Sequence, residues 1–333
     1  MVKSDGKGLI DAFWELMSMK RKIKKHNVLV AATMSAGKST LINALIGTEL
    51  LPAMNEATTA CHVYVQNENR KSGFYGGALR DDGRISRISS LKEGDIKKWN
   101  SIKGIKKIGV KGQFQGRLKY RDGLVFHDTP GPNNSQDVNH ASVVFDVAKR
   151  VPIDTFIYVI NATQVAITDD RNFLDEIISN LHGGIKSPPI FVLNKIDMLD
   201  PEKGEDVGAA CKGVQAYLVE RGFKDPIVVP CMAEIALCAR KRINKEKMTR
   251  KQGWLLSDFL NSGEKNNSDY TEEAILSDEI RGKIRKRVLR NKVIDFLYFF
   301  IGGISRFRVK RAVSMSGIRI IEELIVLQRE EGK

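Results

Sequence analysis

The sequence has few of the features that mark secreted or membrane-spanning proteins. Only four of its 333 residues are cysteines and none of them form a Cys-x-x-Cys pair, so we expect reduced thiols in a cytosolic protein. No run of about 18 apolar residues is present, so no helix is expected to span a membrane. The first residues contain no apolar stretch followed by a small-residue cleavage site, so no secretion signal is predicted. We therefore predict a cytoplasmic location, which allows peripheral contact with a membrane or the nucleoid.

Internal repeats and low-complexity tracts are also missing, which excludes solenoid and disordered architectures. The content of 42% hydrophobic and 28% charged residues is that of an ordinary soluble globular protein with a substantial core. The length allows one large α/β domain with extra elements, or two small domains.

Positive charge is in excess, with a formal net charge of +14, and it is unevenly placed. Residues 1–27 hold seven Lys and Arg against three acids, residues 240–251 hold seven against one, and residues 281–333 hold fourteen against five. Such segments can meet an anionic membrane surface, nucleic acid or an acidic partner, and they can equally be solvated helix faces.

Short apolar runs alternate with helical spacing along most of the chain, which predicts an α/β fold. The predicted fold class is a P-loop domain whose mostly parallel sheet is covered by helices on both faces. Strands are predicted at 28–32, 63–65, 154–160, 190–193 and 227–229, and helices at 9–25, 38–46, 169–181, 206–221 and 232–242. Residues 119–126 are predicted as a hairpin with an Asp-Gly turn, and residues 67–115 are left unassigned.

The strand at 28–32 is followed by a glycine turn and a helix that opens with Gly37-Lys38-Ser39. Backbone N–H groups of such a loop, and the helix N-terminus, attract phosphate. Lys38 is the predicted cation for the β- and γ-phosphates, and Ser39 the predicted Mg²⁺ ligand. Ala32 occupies the position where the usual pattern begins with glycine.

Two further segments fit the metal and γ-phosphate side of such a site. Asp128 ends an apolar stretch and can hold Mg²⁺ through water, while Gly131 lets a backbone N–H approach the γ-phosphate. A threonine in the loop before 63–65 can add a hydroxyl to the metal, and we favour Thr59 over Thr58. Mg²⁺ ligands are thus predicted at Ser39, Thr59 and Asp128.

The base-binding side is predicted at Asn194-Lys195-Ile196-Asp197. The Asp197 carboxylate can accept from N1–H and the exocyclic amine of guanine, a donor pair that adenine lacks. Lys195 can cover the base plane, and Asn194 can tie this loop to the phosphate loop. The segment 230–233 is expected to form a last base-side loop.

Together, residues 35–51, Thr58-Thr59, residues 128–133 (DTPGPN) and residues 194–197 resemble the GTPase domain of bacterial dynamin-like proteins, of the clamp-associated, nucleoid-linked type. The resemblance implies hydrolysis of GTP to GDP with Mg²⁺, activated when two GTPase domains meet. It also implies that Ser35 and Thr59 orient the attacking water, Ser35 with a monovalent cation, while Lys38 stabilises charge. The implied nucleotide-binding residues are Met34, Ser35, Ala36, Gly37, Lys38, Ser39, Thr40, Asp128, Gly131, Asn194, Lys195 and Asp197.

The chain departs from this family in two respects. Met34 stands where eukaryotic dynamins carry a glutamine, and the chain ends soon after residues 316–318, where the family usually continues into a helical stalk. Either a stalkless member or a truncated product fits. The expected organisation is an N-terminal helix in 1–25, a GTPase domain in 26–251 and a helical segment in 252–333, which is the start of a stalk or a set of closing helices.

The helical segment is predicted to break near Gly302-Gly303 and Gly317. Its apolar run Phe296–Ile301 is expected to pack inside the protein, with a membrane interface and a partner protein as alternatives. Three functions remain open: a dynamin-like GTPase with a nucleotide-dependent homodimer, a slow nucleotide-gated module that recruits a membrane, nucleoid or replication partner through basic segments, and an Era-like ribosome-associated GTPase. The last requires an added RNA-binding fold, and residues 252–333 show neither a GXXG loop nor strand aromatics.

Overall fold

A computed structural model describes residues 23–33, 35–52, 61–69, 73–92, 94–129, 140–165, 168–181, 185–262, 270 and 272–332. The predicted N-terminal helix at 9–25 therefore lies almost wholly outside the described residues. Residues 23–25, at its predicted end, have no regular structure.

The described residues form one nine-stranded sheet, in the order β4-β3-β5-β2-β6-β1-β7-β8-β9. Neighbours from β6 through β1, β7, β8 and β9 are parallel, as are β2 and β5, whereas β2–β6, β3–β4 and β3–β5 are antiparallel. The α/β, mostly parallel prediction is confirmed. The strands are β1 His26–Ala32, β2 His62–Asn67, β3 Phe74–Arg80, β4 Ile85–Ile88, β5 Ile105–Gly112, β6 Leu124–Asp128, β7 Thr155–Asn161, β8 Ile190–Asn194 and β9 Ile227–Cys231.

The helices follow the predicted alternation, and the phosphate-loop helix begins and ends where the sequence indicates. They are α1 Lys38–Ile46, α2 Asp95–Asn100, α3 His140–Arg150, α4 Thr168–Leu181, α5 Val207–Glu220, α6 Ala233–Ile243, α7 Arg250–Ser262, α8 Asp278–Met315 and α9 Ile318–Glu331. Strands β1, β7, β8 and β9 are buried along their whole length, because helices cover both faces of a parallel sheet.

The hairpin prediction for 119–126 is wrong. The chain turns at Asp122-Gly123, where Gly123 has φ 77°, and enters the single strand β6. The residues before that turn form a short 3-10 helix at Gly116–Leu118 rather than a strand. All five residues of β6 are buried between β1 and β2, so the Asp-Gly turn starts a central strand instead of joining two hairpin arms.

The unassigned stretch 67–115 contains β3, β4, α2 and β5. Strand β3 escapes a pattern search because it carries Gly76-Gly77, and glycine is depleted in strands. The pair is required by packing: a Cβ on Gly76 would lie 2.4 Å from the carbonyl oxygen of Gly109 on β5. Small residues thus allow the close backbone approach at this edge of the sheet.

The expected helix break at Gly302-Gly303 is also wrong, since α8 continues without interruption through both glycines. A glycine in a helix costs about 1 kcal/mol, which a helix of this length tolerates. The break predicted near Gly317 is confirmed: α8 ends at Met315, and Gly317, with φ 76°, directly precedes α9. The run Phe296–Ile301 lies within α8, and its side chains are outside the described part of the structure.

The last helix, α9, is buried over almost its whole length and packs on α1, α8, β7 and β9. Its aliphatic side chains join the main core, and its acids Glu322 and Glu323 are also buried. Among the described residues, no helix combines the length and apolarity needed to cross a bilayer. All four cysteines are buried thiols without a disulfide.

Part of the basic surplus predicted for the surface is internal. Arg240 is buried and pairs with Glu322 of α9 at 2.6 Å. Its guanidinium also donates to the carbonyl oxygens of Ala44 and Leu45 at the end of α1. Buried Lys241 contacts the carboxylate of Glu49. These cations join α6 to α1 and α9, so segment 240–251 is only partly a solvated face.

Replacing Arg240 by methionine should lower the free energy of unfolding by about 3 kcal/mol, because the buried Glu322 carboxyl loses its ion-pair partner. Urea unfolding followed by circular dichroism measures this. Arg242, two residues on, is exposed, so Arg242→Met is a matched control that should change stability by less than about 0.5 kcal/mol. Removing both partners in Arg240→Met/Glu322→Met should recover much of the loss. Equal effects at 240 and 242 would contradict this account.

Candidate functional site

The turn between β1 and α1 has the backbone geometry of an anion-binding loop. Ser35 and Gly37 take φ 61° and 91°, and the buried Ala36 between them donates its N–H to the carbonyl of Thr33 at 3.4 Å. Gly37 is the N-cap of α1, and Lys38 is its first residue. Helix N-terminal amides and adjacent backbone N–H groups thus gather where the sequence predicts a phosphate.

Asn194, at the end of β8, joins three loops through one buried side chain. Its amide nitrogen donates to the carbonyl oxygen of Ala36 at 2.9 Å, and its amide oxygen accepts from the N–H of Ala233 at 3.0 Å. The phosphate loop approaches it so closely that a Cβ on Gly37 would lie 2.3 Å from the Asn194 amide nitrogen. Any side chain at position 37 would therefore displace Asn194.

Lys38 and Ser39 converge on the carboxylate of Asp128 at the end of β6. The Lys38 ammonium pairs with one carboxylate oxygen, and the Ser39 hydroxyl donates to the other at 3.1 Å. Both charged side chains are only 11% exposed. A cation, a hydroxyl and a carboxylate thus share one small polar site directly beside the phosphate loop.

The base side is formed by the loops after β8 and β9. Lys195 takes φ 65° and leads into a short 3-10 helix, Ile196–Met198, that contains Asp197. Surrounding protein atoms desolvate the Asp197 carboxylate and raise its pKa from the ordinary value, whereas its backbone N–H and Lys195 lower it. The carboxylate remains at the surface, where a ligand can reach it.

One connection to this base side was missed by sequence reasoning. The N–H of Met232, in the loop after β9, donates to the carbonyl of Ser316 at 2.9 Å. Gly317 packs so tightly there that a Cβ would lie 2.0 Å from the carbonyl oxygen of Pro230. The α8–α9 turn is therefore seated on the base-side loop, and Gly317 was the only local signal of that contact.

Three buried histidines lie on β1, β2 and β6, and no motif in the sequence points to them. The rings of His62 and His127 stack at 5.2 Å, their nitrogens lie 3.1 Å apart, and His127 contacts Asn27 at 3.2 Å. Burial lowers the pKa of His127 to about 3 and that of His26, which bonds Thr155, to about 4. The described residues contain no cluster of three metal-ligating side chains.

These shifts predict a loss of stability in acid. A histidine that is neutral when folded destabilises the native state once pH falls below its unfolded pKa of about 6.5, because the unfolded chain then binds the extra proton. The loss continues until the folded pKa of about 4 is reached for His26. Between pH 7 and 5 it amounts to about 2 kcal/mol for each such histidine.

His26→Gln tests this, because glutamine keeps a hydrogen-bonding group near Thr155 but does not titrate. Its stability deficit relative to the unmodified protein should shrink by about 2 kcal/mol between pH 7 and 5 in urea unfolding. A deficit that stays constant across this range would show that His26 is not held neutral.

Several predicted residues are placed and others are not. Ala36 and Gly37 lie against Asn194, and Lys38 and Ser39 contact Asp128. Ser35 is exposed in the loop, and Thr40 lies half-buried in the first turn of α1. Other predicted residues lie outside the described residues: Met34, Thr58, Thr59 and Gly131. The side chains of His140 and His182 also lie outside the described part of the structure.

Comparison with known proteins gives one family. A family model described as the dynamin family matches residues 28–196, half of the chain. No protein in the curated collection matches. Two solved structures of an oligomerised bacterial dynamin pair, reported to sense and tether membranes, are 20% and 18% identical, with TM-scores of 0.50 and 0.49. Each of the two matches covers 98% of this chain. This chain spans only about half the length of those proteins, 49% of the first and 48% of the second.

A structure of Era with MgGDPNP and part of 16S ribosomal RNA is 20% identical, with a TM-score of 0.34. The match includes 63% of this chain and 52% of the Era chain. An Aquifex aeolicus Era structure bound to GDP and aluminium fluoride is 18% identical and covers 68% and 59%, with a TM-score of 0.34. At such identities the likeness to any of these structures concerns the fold alone.

Proposed function

We propose, from the premise that this chain belongs to the dynamin family, that it binds GTP with Mg²⁺ and hydrolyses it to GDP and phosphate. The observation that carries the proposal is the Asn194 side chain. Its two hydrogen bonds, to Ala36 and Ala233, connect the phosphate loop to both base-side loops. A guanine nucleotide needs its phosphates and its base bound at a fixed separation, which such a link would supply.

Guanine is the base that this site would select. An ionised Asp197 accepts two hydrogen bonds and donates none, which matches N1–H and the exocyclic amine of guanine. Lys195 would lie over the base plane with its aliphatic stem. Adenine presents no such donor pair to the carboxylate, so ATP would leave it unpaired.

The residues beside the phosphate loop fit a Mg²⁺ ion. Ser39 Oγ and Asp128 Oδ2 lie 3.1 Å apart, and oxygen ligands of this kind are those that Mg²⁺ prefers. Thr59 is the third proposed ligand. When bound, the ion would neutralise negative charge on the phosphates. Phosphate binding would separate Lys38 from Asp128, so that the ammonium moves to the phosphates and the carboxylate turns to the metal side.

Catalysis would rest on positioning and charge rather than covalent chemistry. Lys38 would stabilise charge between the β- and γ-phosphates. Ser35, exposed at a positive φ in the loop, and Thr59 would orient the attacking water, with a monovalent cation near Ser35. The family membership supports nucleotide-dependent pairing of two GTPase domains as the activating step.

Turnover of GTP against protein concentration tests the proposal. Turnover per molecule that rises with protein concentration supports activation by a homodimer. Rapid turnover that does not depend on concentration would contradict activation by dimerisation but would still support GTP hydrolysis. Omitting Mg²⁺ should abolish the activity. If GTP binds tightly but is not hydrolysed at any protein concentration, the nucleotide-gated module described below would be the better account.

A nucleotide-gated module is a second candidate, favoured by the Met232–Ser316 hydrogen bond. A ligand that moves the loop after β9 would move the α8–α9 turn with it, and so alter a surface for a membrane, nucleoid or replication partner. The Era-like alternative lacks the observation it needs. Beyond β9 the described ranges contain the helices α6–α9 and no strand on which RNA bases could stack.

A further inference from the structure

The end of α6, the start of α7 and the loop between them carry exposed basic side chains, and α7 adds one exposed tryptophan. Trp254 is 69% exposed, far more than a core tryptophan such as Trp99. The cations of this α7 basic surface are all exposed: Arg242, Lys245, Lys247, Arg250 and Lys251. None of the five forms an ion pair with a described residue, and the nearby acid Glu246 is turned away to Thr48 and Asn244.

Two features of this surface favour an anionic ligand with a flat apolar part. Arg250 and Lys251 occupy the first turn of α7, which holds no acid, although the positive end of the helix dipole disfavours cations there. Trp254 lies one turn on, at i+4 and i+3, with most of its apolar ring in water. Such a ligand would neutralise the cations at the helix N-terminus and cover the exposed ring.

We propose that the α7 basic surface binds single-stranded nucleic acid, with phosphates on the cations and a base stacked on Trp254. An exposed aromatic ring between basic side chains is the arrangement that sequence-tolerant binding of single strands uses. The ring supplies the stacking energy, and the cations release counterions from the backbone.

A membrane surface fits less well. Interfacial binding needs a continuous apolar helix face. On α7 the aliphatic and aromatic side chains turn inward instead: Leu256 is buried, and Leu255, Phe259 and Leu260 pack against the core. Trp254 is thus the one large apolar side chain of α7 that faces outward, a platform for one base rather than a face for lipid.

Fluorescence anisotropy of labelled oligothymidine, about twenty nucleotides long, tests the proposal at salt from about 50 to about 200 mM. Trp254→Ala should weaken binding about 10-fold and leave the salt dependence unchanged, whereas Trp254→Phe should restore most of the affinity. Lys247→Glu/Lys251→Glu should weaken binding more than about 10-fold and reduce the slope of log K against log salt by at least about 1.4. GTP turnover of Trp254→Ala should equal that of the unmodified protein.

The chain offers matched controls. Lys103→Glu/Lys106→Glu makes the same charge change at two exposed positions elsewhere, and Tyr120→Ala removes another aromatic ring, 73% exposed. Both should bind oligothymidine almost normally. The proposal is overturned by equal losses in test and control variants, or by no binding at the lowest salt. Trp254-dependent co-sedimentation with vesicles of phosphatidylcholine and phosphatidylserine, without Trp254-dependent oligothymidine binding, would assign the surface to lipid.

Discussion

Lys38→Ala should lower the rate constant of GTP hydrolysis by at least about 1000-fold. Among the described residues of the site, Lys38 is the cation that pairs with Asp128. Its side chain is only 11% exposed. No neighbouring cation of that site can replace the charge that it would place on the phosphates. Removing it also leaves Asp128 without its ion-pair partner, so the carboxylate repels the incoming phosphates. Phosphate release under single-turnover conditions measures the effect.

Lys212→Ala is the matched control, because Lys212 is an exposed lysine on α5. It should hydrolyse GTP at the normal rate. Binding of a fluorescent GDP analogue separates the two ways in which Lys38→Ala can act, through affinity or through the chemical step. Retention of more than a tenth of the normal rate would mean that another residue supplies the charge, and the site assignment would then be wrong.

The fold was predictable where burial leaves a local pattern. β1, β7, β8 and β9 are short apolar runs because both faces of these strands are covered, and α1 begins at the Gly37-Lys38 sequence that the loop requires. The antiparallel edge was not predictable, since β3 needs glycines for close packing and so looks like a loop. The unbroken α8 was missed because glycine weakens a helix without ending it.

The site was predictable to the same extent. Lys38, Asp128 and Asn194 stand in short motifs whose chemistry is legible in sequence. The contacts that hold these motifs in place could not be predicted, because they join residues far apart in the chain. Arg240 and Glu322 are separated by 82 positions, and no local pattern links them. The contact of the Ser316-Gly317 turn with the loop after β9 is of the same kind.

Asp197→Asn should shift the preference of the site from GTP towards XTP by at least about 1000-fold. The asparagine amide still accepts from N1–H, but its NH₂ group now faces the exocyclic amine of guanine, donor against donor. Xanthine carries an oxygen at that position, which accepts from the same NH₂ group. The substitution thus replaces a hydrogen-bond acceptor by a donor at one position, and the other loops of the site are unchanged.

Competition between GTP, XTP and ATP for a fluorescent GDP analogue measures the preference. Asp225→Asn is the control, since Asp225 is exposed at φ 46°, a conformation that asparagine also adopts readily.

The raised pKa of Asp197 leads to a second prediction, for the unmodified protein. As the pH falls, its GTP affinity should decline at a higher pH than the one at which an ordinary aspartate protonates, because the neutral carboxyl has one hydrogen-bond acceptor fewer for guanine. Asp197→Asn should lack this decline in XTP binding, whereas equal competition by ATP in the unmodified protein would remove Asp197 from base recognition.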